Sequence, residues 1–344
     1  MATLDDIARS LGVSKSTVSK ALSGAKDVSK AMRQAVLEQA VELGYTRSIR
    51  KTSAPRIAVF IINMEYRKPE NFGYDIVSGF RKAAEPAGYE VEIVDLTAEL
   101  QKEYRYDEYM VYNNYSGGLF LGLALADPWL REFETCRTPT VLYDNHVSGN
   151  PVVTSMGVEN VEAMKLGVEY LKSLGHTRIG YLSSALGAYV YQQRYQAFFR
   201  AMEACGLPAE PEIAGSAYHL SNCMTLHLPR LLEMGCTAIV CSHDILAHSL
   251  ILHCRERGLR VPEDISILGF DDVPLCRYTN PPLTTIRQNR TELGKSAFYA
   301  MSSLLNKVYI SSLLLHGDLV VRGSCAPKAE NCDRLAILTQ QEDQ

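Results

Sequence analysis

Within six consecutive residues the chain sets Lys15, Ser16, Thr17, Ser19 and Lys20. A helix through them brings positions 15 and 19, and 16 and 20, onto shared faces four residues apart. The result is a donor-rich face without a carboxylate, which suits a polyanion. Lys15, Ser16 and Lys20 are the candidates for reading base edges, since lysine can donate to O6 and N7 of guanine. Ser14, Thr17, Ser19 and Ser29 suit phosphate oxygens, through hydroxyls and helix N-termini. The plainer alternative is that Ser14 and Ser29 only cap helices and that the lysines form a solvated face.

Other groups that could do chemistry fit their motifs poorly. Residues 293–296 read LGKS, the tail of a phosphate-binding loop, but the leading glycine falls at Asn289 and the surrounding pattern is helical. No G-x-G-x-x-G, G-x-S-x-G or H-E-x-x-H is present. His243, His248 and His253 are spaced by five, which turns each about 140° from the last on a helix, so they share no metal face. Nine Cys is an odd number with no C-x-x-C pair, against both a complete disulfide set and a zinc ribbon. Buried thiols in a reducing compartment are the expectation. No catalysis, metal or cofactor is expected.

The elements that must carry the basic face are legible. Thr3 with Asp6 resembles a capping box, and Leu4, Ile7, Ala8 and Leu11 repeat with helical spacing until Gly12 stops them. Ser14 caps a second helix whose inward side is Val18, Ala21 and Leu22. Ser29 caps a third, with Ala35, Val36, Ala40, Val41 and Leu43 as its stripe and Gly44 as its stop. Small Ala8, the turn at Gly12 and the Val18 plug give helix-turn-helix geometry.

Beyond residue 57, apolar runs at 57–62, 91–94, 119–121, 140–143, 179–182, 238–241 and 265–268 alternate with helical stretches that close at Gly88, Gly175, Gly206, Gly235 and Gly258. That alternation predicts parallel sheets covered by helices. Roughly 270 residues of it exceed one comfortable sheet, so two lobes are expected, with a ligand in the cleft between them beyond strand C-termini. The expected organisation is a head over 1–45, a linker over 46–56, a two-lobed body over 57–330 and a tail over 331–344.

Composition sets the outer bounds. The chain has 344 residues, 47% hydrophobic and 22% charged, which excludes a disordered or fibrous protein. Its longest strictly apolar run is six residues, where a membrane span needs about 20, so no membrane partner is expected. The first ten residues hold two acids and no apolar core of a signal peptide, which predicts a cytoplasmic protein. Residues 1–56 hold ten Lys or Arg against five acids, a net of +5, so the remainder carries −9 of the overall −4. A basic head on an acidic body points the head, and not the body, at a polyanion.

Together these residues resemble the lactose-repressor (LacI/GalR) family of bacterial transcription regulators over about residues 2–327. The match is carried by TLDDIARSLGVSKSTVSKAL (3–22), VENVEAMKLGVEYLKSLGHTRIGYL (158–182), RGLRVPEDISILGFDDVPLCRYTNPPLTTIRQ (257–288) and LVVRGSCAP (319–327). The resemblance implies an α/β fold: a three-helix DNA-binding head and a two-lobed core like the type I periplasmic binding proteins. It also implies a homodimer or higher assembly on double-stranded operator DNA, controlled by a small sugar-like effector.

Carried over by position, Lys15, Ser16 and Lys20 fall where the family reads bases. Arg194 in RYQAF matches an effector-binding arginine, with Ala197 in place of glycine. Asp271 matches the first Asp of G-F-D-D. His243 in SHD stands where the family has the Asn of A-N-D, and Phe72 in ENFG is the aromatic retained from N-P-F-F. Ile49 aligns with the leucine that family dimers wedge into the minor groove, but about five residues are missing after Tyr45. An arginine fork and a carboxylate suit a polyhydroxylated or carboxylated ligand, or else they pair with each other. Tyr189, Tyr191 and Tyr195 are either a stacking surface or helix packing. The competing function is a small-molecule receptor of the same fold with weak or lost operator binding.

Overall fold

The computed structural model describes residues 2–45 and 54–329. Ile49, most of the expected linker and the tail from 331 lie outside the described residues. The chain forms two compact units. The first comprises Met1–Arg67, Gly73–Met156 and Arg290–Leu313; the second comprises Lys68–Phe72, Gly157–Asn289 and Leu314–Gln344.

The first unit opens with three helices, α1 (Leu4–Leu11), α2 (Lys15–Leu22) and α3 (Lys30–Glu42). Asp6 N–H donates to Thr3 Oγ1 at 3.2 Å and Thr3 N–H returns to the Asp6 carboxylate at 2.9 Å, completing the box. Gly12 sits at φ 65°, and a Cβ there would meet no atom within 4 Å, so its role is to supply a left-handed turn cheaply. Ser14 accepts from Thr17 N–H and Ser29 from Met32 N–H, fixing the starts of α2 and α3. Ile7, Val18, Ala21, Leu22, Val36, Leu37 and Ala40 fill the core. The stripe expected on α3 shifts: Leu37 joins Val36 and Ala40 inside, whereas Leu43, past the last helical residue, is 38% exposed.

The chain continues through β1 (Arg56–Ile61), α4 (Phe72–Ala84), β2 (Glu90–Asp95), α5 (Ala98–Glu103), α6 (Tyr106–Asn113), β3 (Tyr115–Leu121), α7 (Pro128–Glu132), β4 (Thr140–Tyr143) and β5 (Val153–Val158). In the second unit follow α8 (Asn160–Ser173), β6 (Ile179–Ser184), α9 (Tyr189–Ala204), β7 (Ala214–Ala217), α10 (Leu220–Asn222), α11 (Leu228–Glu233), β8 (Ala238–Cys241), α12 (Asp244–Glu256), β9 (Ser266–Asp271) and β10 (Thr284–Arg287). The chain then returns to the first unit for α13 (Arg290–Leu305) and β11 (Ser312–Leu315), and ends with β12 (Asp318–Val320).

Two six-stranded sheets result, in orders β11-β5-β4-β3-β1-β2 and β12-β10-β9-β8-β6-β7. The pairings from β5 to β2 and from β10 to β7 are parallel, while β12 runs antiparallel to β10. Residues 57–61 of β1 and all of β8 are buried on both faces, the signature of a covered parallel sheet. All seven expected strands and all five glycine stops are present. Five strands were not expected. In β5 (VTSMGV) Thr, Ser and Gly interrupt the apolar residues, β7 (AGSA) is built of small residues, and β11 and β12 are partly exposed. β10 (TTIR) mixes two threonines and an arginine with a single large apolar residue.

Candidate functional site

On α2 the side chains of Lys15, Ser16, Ser19 and Lys20 are exposed, while Val18 behind them is fully buried. Thr17 is half-buried, with its hydroxyl 2.8 Å from that of Ser14. Ser29 is exposed at its cap, so at Ser14 and Ser29 capping and accessibility coexist. The lysines are engaged: Lys15 Nζ donates to Asp5 at 2.6 Å and Lys20 Nζ to Asp27 at 2.5 Å. The Lys20 ammonium holds the Asp27 carboxyl below its ordinary range. Such pairs in water are weak, and a phosphate or a guanine edge can displace the carboxylate.

The second constellation lies wholly in the second unit, where strand ends and helix starts converge. Arg194 projects from α9, His243 precedes α12 and Asp271 ends β9. Arg194 is only 3% exposed. Its Nη1 donates to the Ser242 carbonyl at 2.6 Å and stands 3.2 Å from Asp271 Oδ1. Its Nε donates to Asn160 Oδ1 at 3.3 Å, and the guanidinium lies 3.9 Å over the Phe270 ring. Gln288 Nε2 donates to the same Asp271 oxygen at 2.6 Å. Arg194 and Asp271 therefore pair with each other, within a ring of polar groups.

Asp271 and Asp272 sit at φ 115° and 51°, where a non-glycine backbone is strained. The turn is held by Asp272, whose carboxylate takes Arg287 Nε at 2.7 Å and Arg322 Nη2 at 2.6 Å. Beneath it, buried Asp244 accepts Val273 N–H at 2.9 Å and the Thr285 hydroxyl at 2.6 Å. Burial, and then the charge of Asp271, push the Asp244 pKa upward. A Cβ on Gly269 would fall 2.2 Å from Asp244 Oδ1, so only glycine lets β9 pass that carboxylate.

His243 caps α12: its Nδ1 accepts Leu246 N–H at 3.2 Å, which leaves the proton of the neutral ring on Nε2, 2.7 Å from Ser184 Oγ. Burial, then the positive charge of Arg194, lower its pKa to about 4. The ring stays neutral near pH 7. Because the folded value lies below the unfolded 6.5, the unfolded chain takes up this proton first on acidification. The His243 contribution to stability is thus complete above pH 6.5 and drains away towards pH 4, by up to about 3 kcal/mol. We expect His243→Asn to be less sensitive than the parent over that window in urea unfolding at stepped pH; parallel pH profiles would refute the assignment.

Phe72, the first residue of α4, is half-buried. Of the tyrosines, Tyr191 faces the His243 ring at 5.7 Å, Tyr195 packs edge-on to Tyr181 at 6.0 Å, and Tyr189 is half-buried. Asn160, Ser184, Ser242, Asp244 and Gln288 were not foreseen. The usable signal was their place at the C-terminal ends of parallel strands and the N-termini of the following helices.

The description "Bacterial regulatory proteins, lacI family" matches residues 3–48, and "Periplasmic binding protein-like domain" matches 168–325. The transcriptional repressor CytR of Escherichia coli K12 is 29% identical over 333 residues, covering 94% of this chain and 96% of its own. The transcriptional regulator MalR of Streptomyces coelicolor is 32% identical over 335 residues, with the same coverage. The chain belongs to the LacI family. Like its relatives, this LacI-family member is a DNA-binding transcription regulator controlled by a small-molecule effector. The lac repressor dimer bound to operator and the anti-inducer ONPF shares its fold, with a TM-score of 0.65 at 24% identity over 94% of this chain and 99% of that one. No described helix is long and apolar enough to cross a membrane.

Proposed function

We propose that this regulator is a cytoplasmic repressor that binds a near-palindromic operator as a homodimer. Lys15, Ser16 and Lys20 read bases, and Ser14, Thr17, Ser19 and Ser29 hold phosphates. A sugar-like effector engages Arg194, His243 and Asp271, with Phe72 as an aromatic contact, and alters operator affinity. The observation that carries the effector assignment is the convergence of Arg194, His243 and Asp271 within one polar ring at the strand ends of the second unit. A planar donor fork beside a carboxylate, with the aromatic Tyr191 near by, matches hydroxyl-rich ligands. The dimer follows from size, since one three-helix head reaches too few phosphates to bind tightly alone.

The deciding experiment is selection of genomic fragments by the full-length protein at moderate salt, followed by a screen of mono- and disaccharides for compounds that change that binding. Fragments with paired, inverted half-sites are expected. No preference over bulk competitor would overturn operator recognition and leave a small-molecule receptor. A narrower outcome concerns Asp27. Asp27→Asn frees Lys20 and removes a negative charge beside the phosphates, so operator affinity is expected to rise several-fold. Unchanged fluorescence-anisotropy titrations would place Lys20 away from the DNA.

A further inference from the structure

The three-helix head packs against α6 and against Tyr104, the residue that ends α5, in its own unit. Tyr104, Val111 and Tyr112 close one side of the head core, and the rings of Tyr104 and Tyr112 stack at 5.8 Å. The Tyr112 hydroxyl lies 2.6 Å from where a Cβ on Gly24 would be, so the loop after α2 rests directly on it. Gln34 of α3 donates to Glu108 of α6 at 3.0 Å, and Glu108 is only 3% exposed.

The polar anchor is Arg137. Its Nη1 donates to the carbonyls of Val41 at 3.1 Å and Glu42 at 2.7 Å, the last turn of α3. That turn contains no basic residue of its own, so the lobe supplies the cation that the negative end of the helix dipole lacks. Arg137 is also pre-set: its backbone N–H donates to Asp107 Oδ2 at 2.9 Å, while Asp107 Oδ1 takes the Thr138 N–H and hydroxyl at 3.1 and 2.6 Å. Meanwhile Lys15, Ser16, Ser19 and Lys20 remain exposed. The packing leaves the reading face open and fixes where it points.

We propose that α6 and Arg137 form a platform that holds the DNA-reading head in one orientation on its own lobe, with Arg137 and Tyr112 as positioning residues for recognition of paired half-sites. The proposal rests on the operator reading above. Heads on slack tethers accept a range of half-site separations, whereas heads fixed to their lobes accept one. Only eight residues, 46–53, join Tyr45 to Ala54, and the sequence lacks about five residues of the family's linker pattern. Motion of the first lobe then reaches the head through α6 and α3 directly.

Two arms test this in the full-length protein. Without DNA, spin labels introduced as unnatural amino acids at Lys26 and Arg131, in dimers diluted with unlabelled subunits, should give one narrow distance. That distance should broaden in the Arg137→Ala/Tyr112→Ala double variant. A broad distribution in the parent protein overturns docking, whatever the DNA result. With DNA, duplexes carrying two selected half-sites are respaced by one or two base pairs. The parent is expected to lose roughly tenfold or more on respacing and the double variant less than about threefold, with equal affinity for a single half-site. Arg137→Lys should recover part of the selectivity, since its Nζ can donate to both carbonyls. Undiminished spacing selectivity in the double variant overturns the positioning role. If genomic selection yields no preferred fragment, the operator reading fails while the distance arm still decides docking.

Discussion

Arg194→Ala is expected to abolish the effector response and to destabilise the second unit by roughly 3–5 kcal/mol, the range for removing one partner of a buried ion pair. Asp271 keeps the Gln288 amide but loses the Arg194 guanidinium, in a site where its own side chain is 12% exposed. The Ser242 carbonyl loses a 2.6 Å donor, Asn160 loses another, and the cation over Phe270 disappears. DNA binding by the head, which belongs to the first unit, should persist at temperatures where the second unit stays folded. The readouts are urea unfolding and operator titration with and without the effector found by screening. A full effector response in the folded variant would remove Arg194 from the ligand site and leave it a structural residue. Arg194→Lys keeps the charge but cannot reproduce the Nε and Nη1 bonds together, so it should recover stability better than response.

Lys20→Ala is expected to weaken operator binding by about 1–3 kcal/mol for each reading helix, hence by roughly 2–6 kcal/mol on a paired site bound by a dimer. Lys20 stands in the last turn of the short α2, exposed, and among the described residues its ammonium pairs with the exposed Asp27. Its removal leaves the Val18, Ala21 and Leu22 face untouched, so the head should keep its fold. Binding to random duplex should fall much less. Equal losses on cognate and random DNA, measured by anisotropy at one salt concentration, would demote Lys20 from base reading to a phosphate contact.

The head was legible almost residue for residue, because caps and glycine stops act over three or four positions and leave their mark in the sequence. Thr3, Gly12, Ser14 and Ser29 all do what their types predicted. The lobes were legible wherever a strand was an unbroken apolar run, as at β1 and β8. They were opaque at β5 and β7, whose Ser, Thr, Gly and Ala become strand only because neighbours pair with them. Arg194 and Asp271 emerged through their family motifs. Their actual environment did not, since Asn160, Ser242 and Gln288 lie 34, 48 and 17 positions away from the groups they bind. Nothing in the sequence around Arg137 announced its bond to α3, a contact spanning 95 positions.

The first unit reclaims Arg290–Leu313 after the chain has built most of the second. A ribosome adding about 5–20 residues per second therefore leaves β3 and β4 waiting roughly 10–30 s for α13, the helix that covers them. The three-helix head emerges long before its platform is finished, and apolar strands stand bare in the interval. Nascent chains arrested short of residue 313 should accordingly depend on chaperones, and no single cut in the polypeptide can release either lobe as an intact fragment.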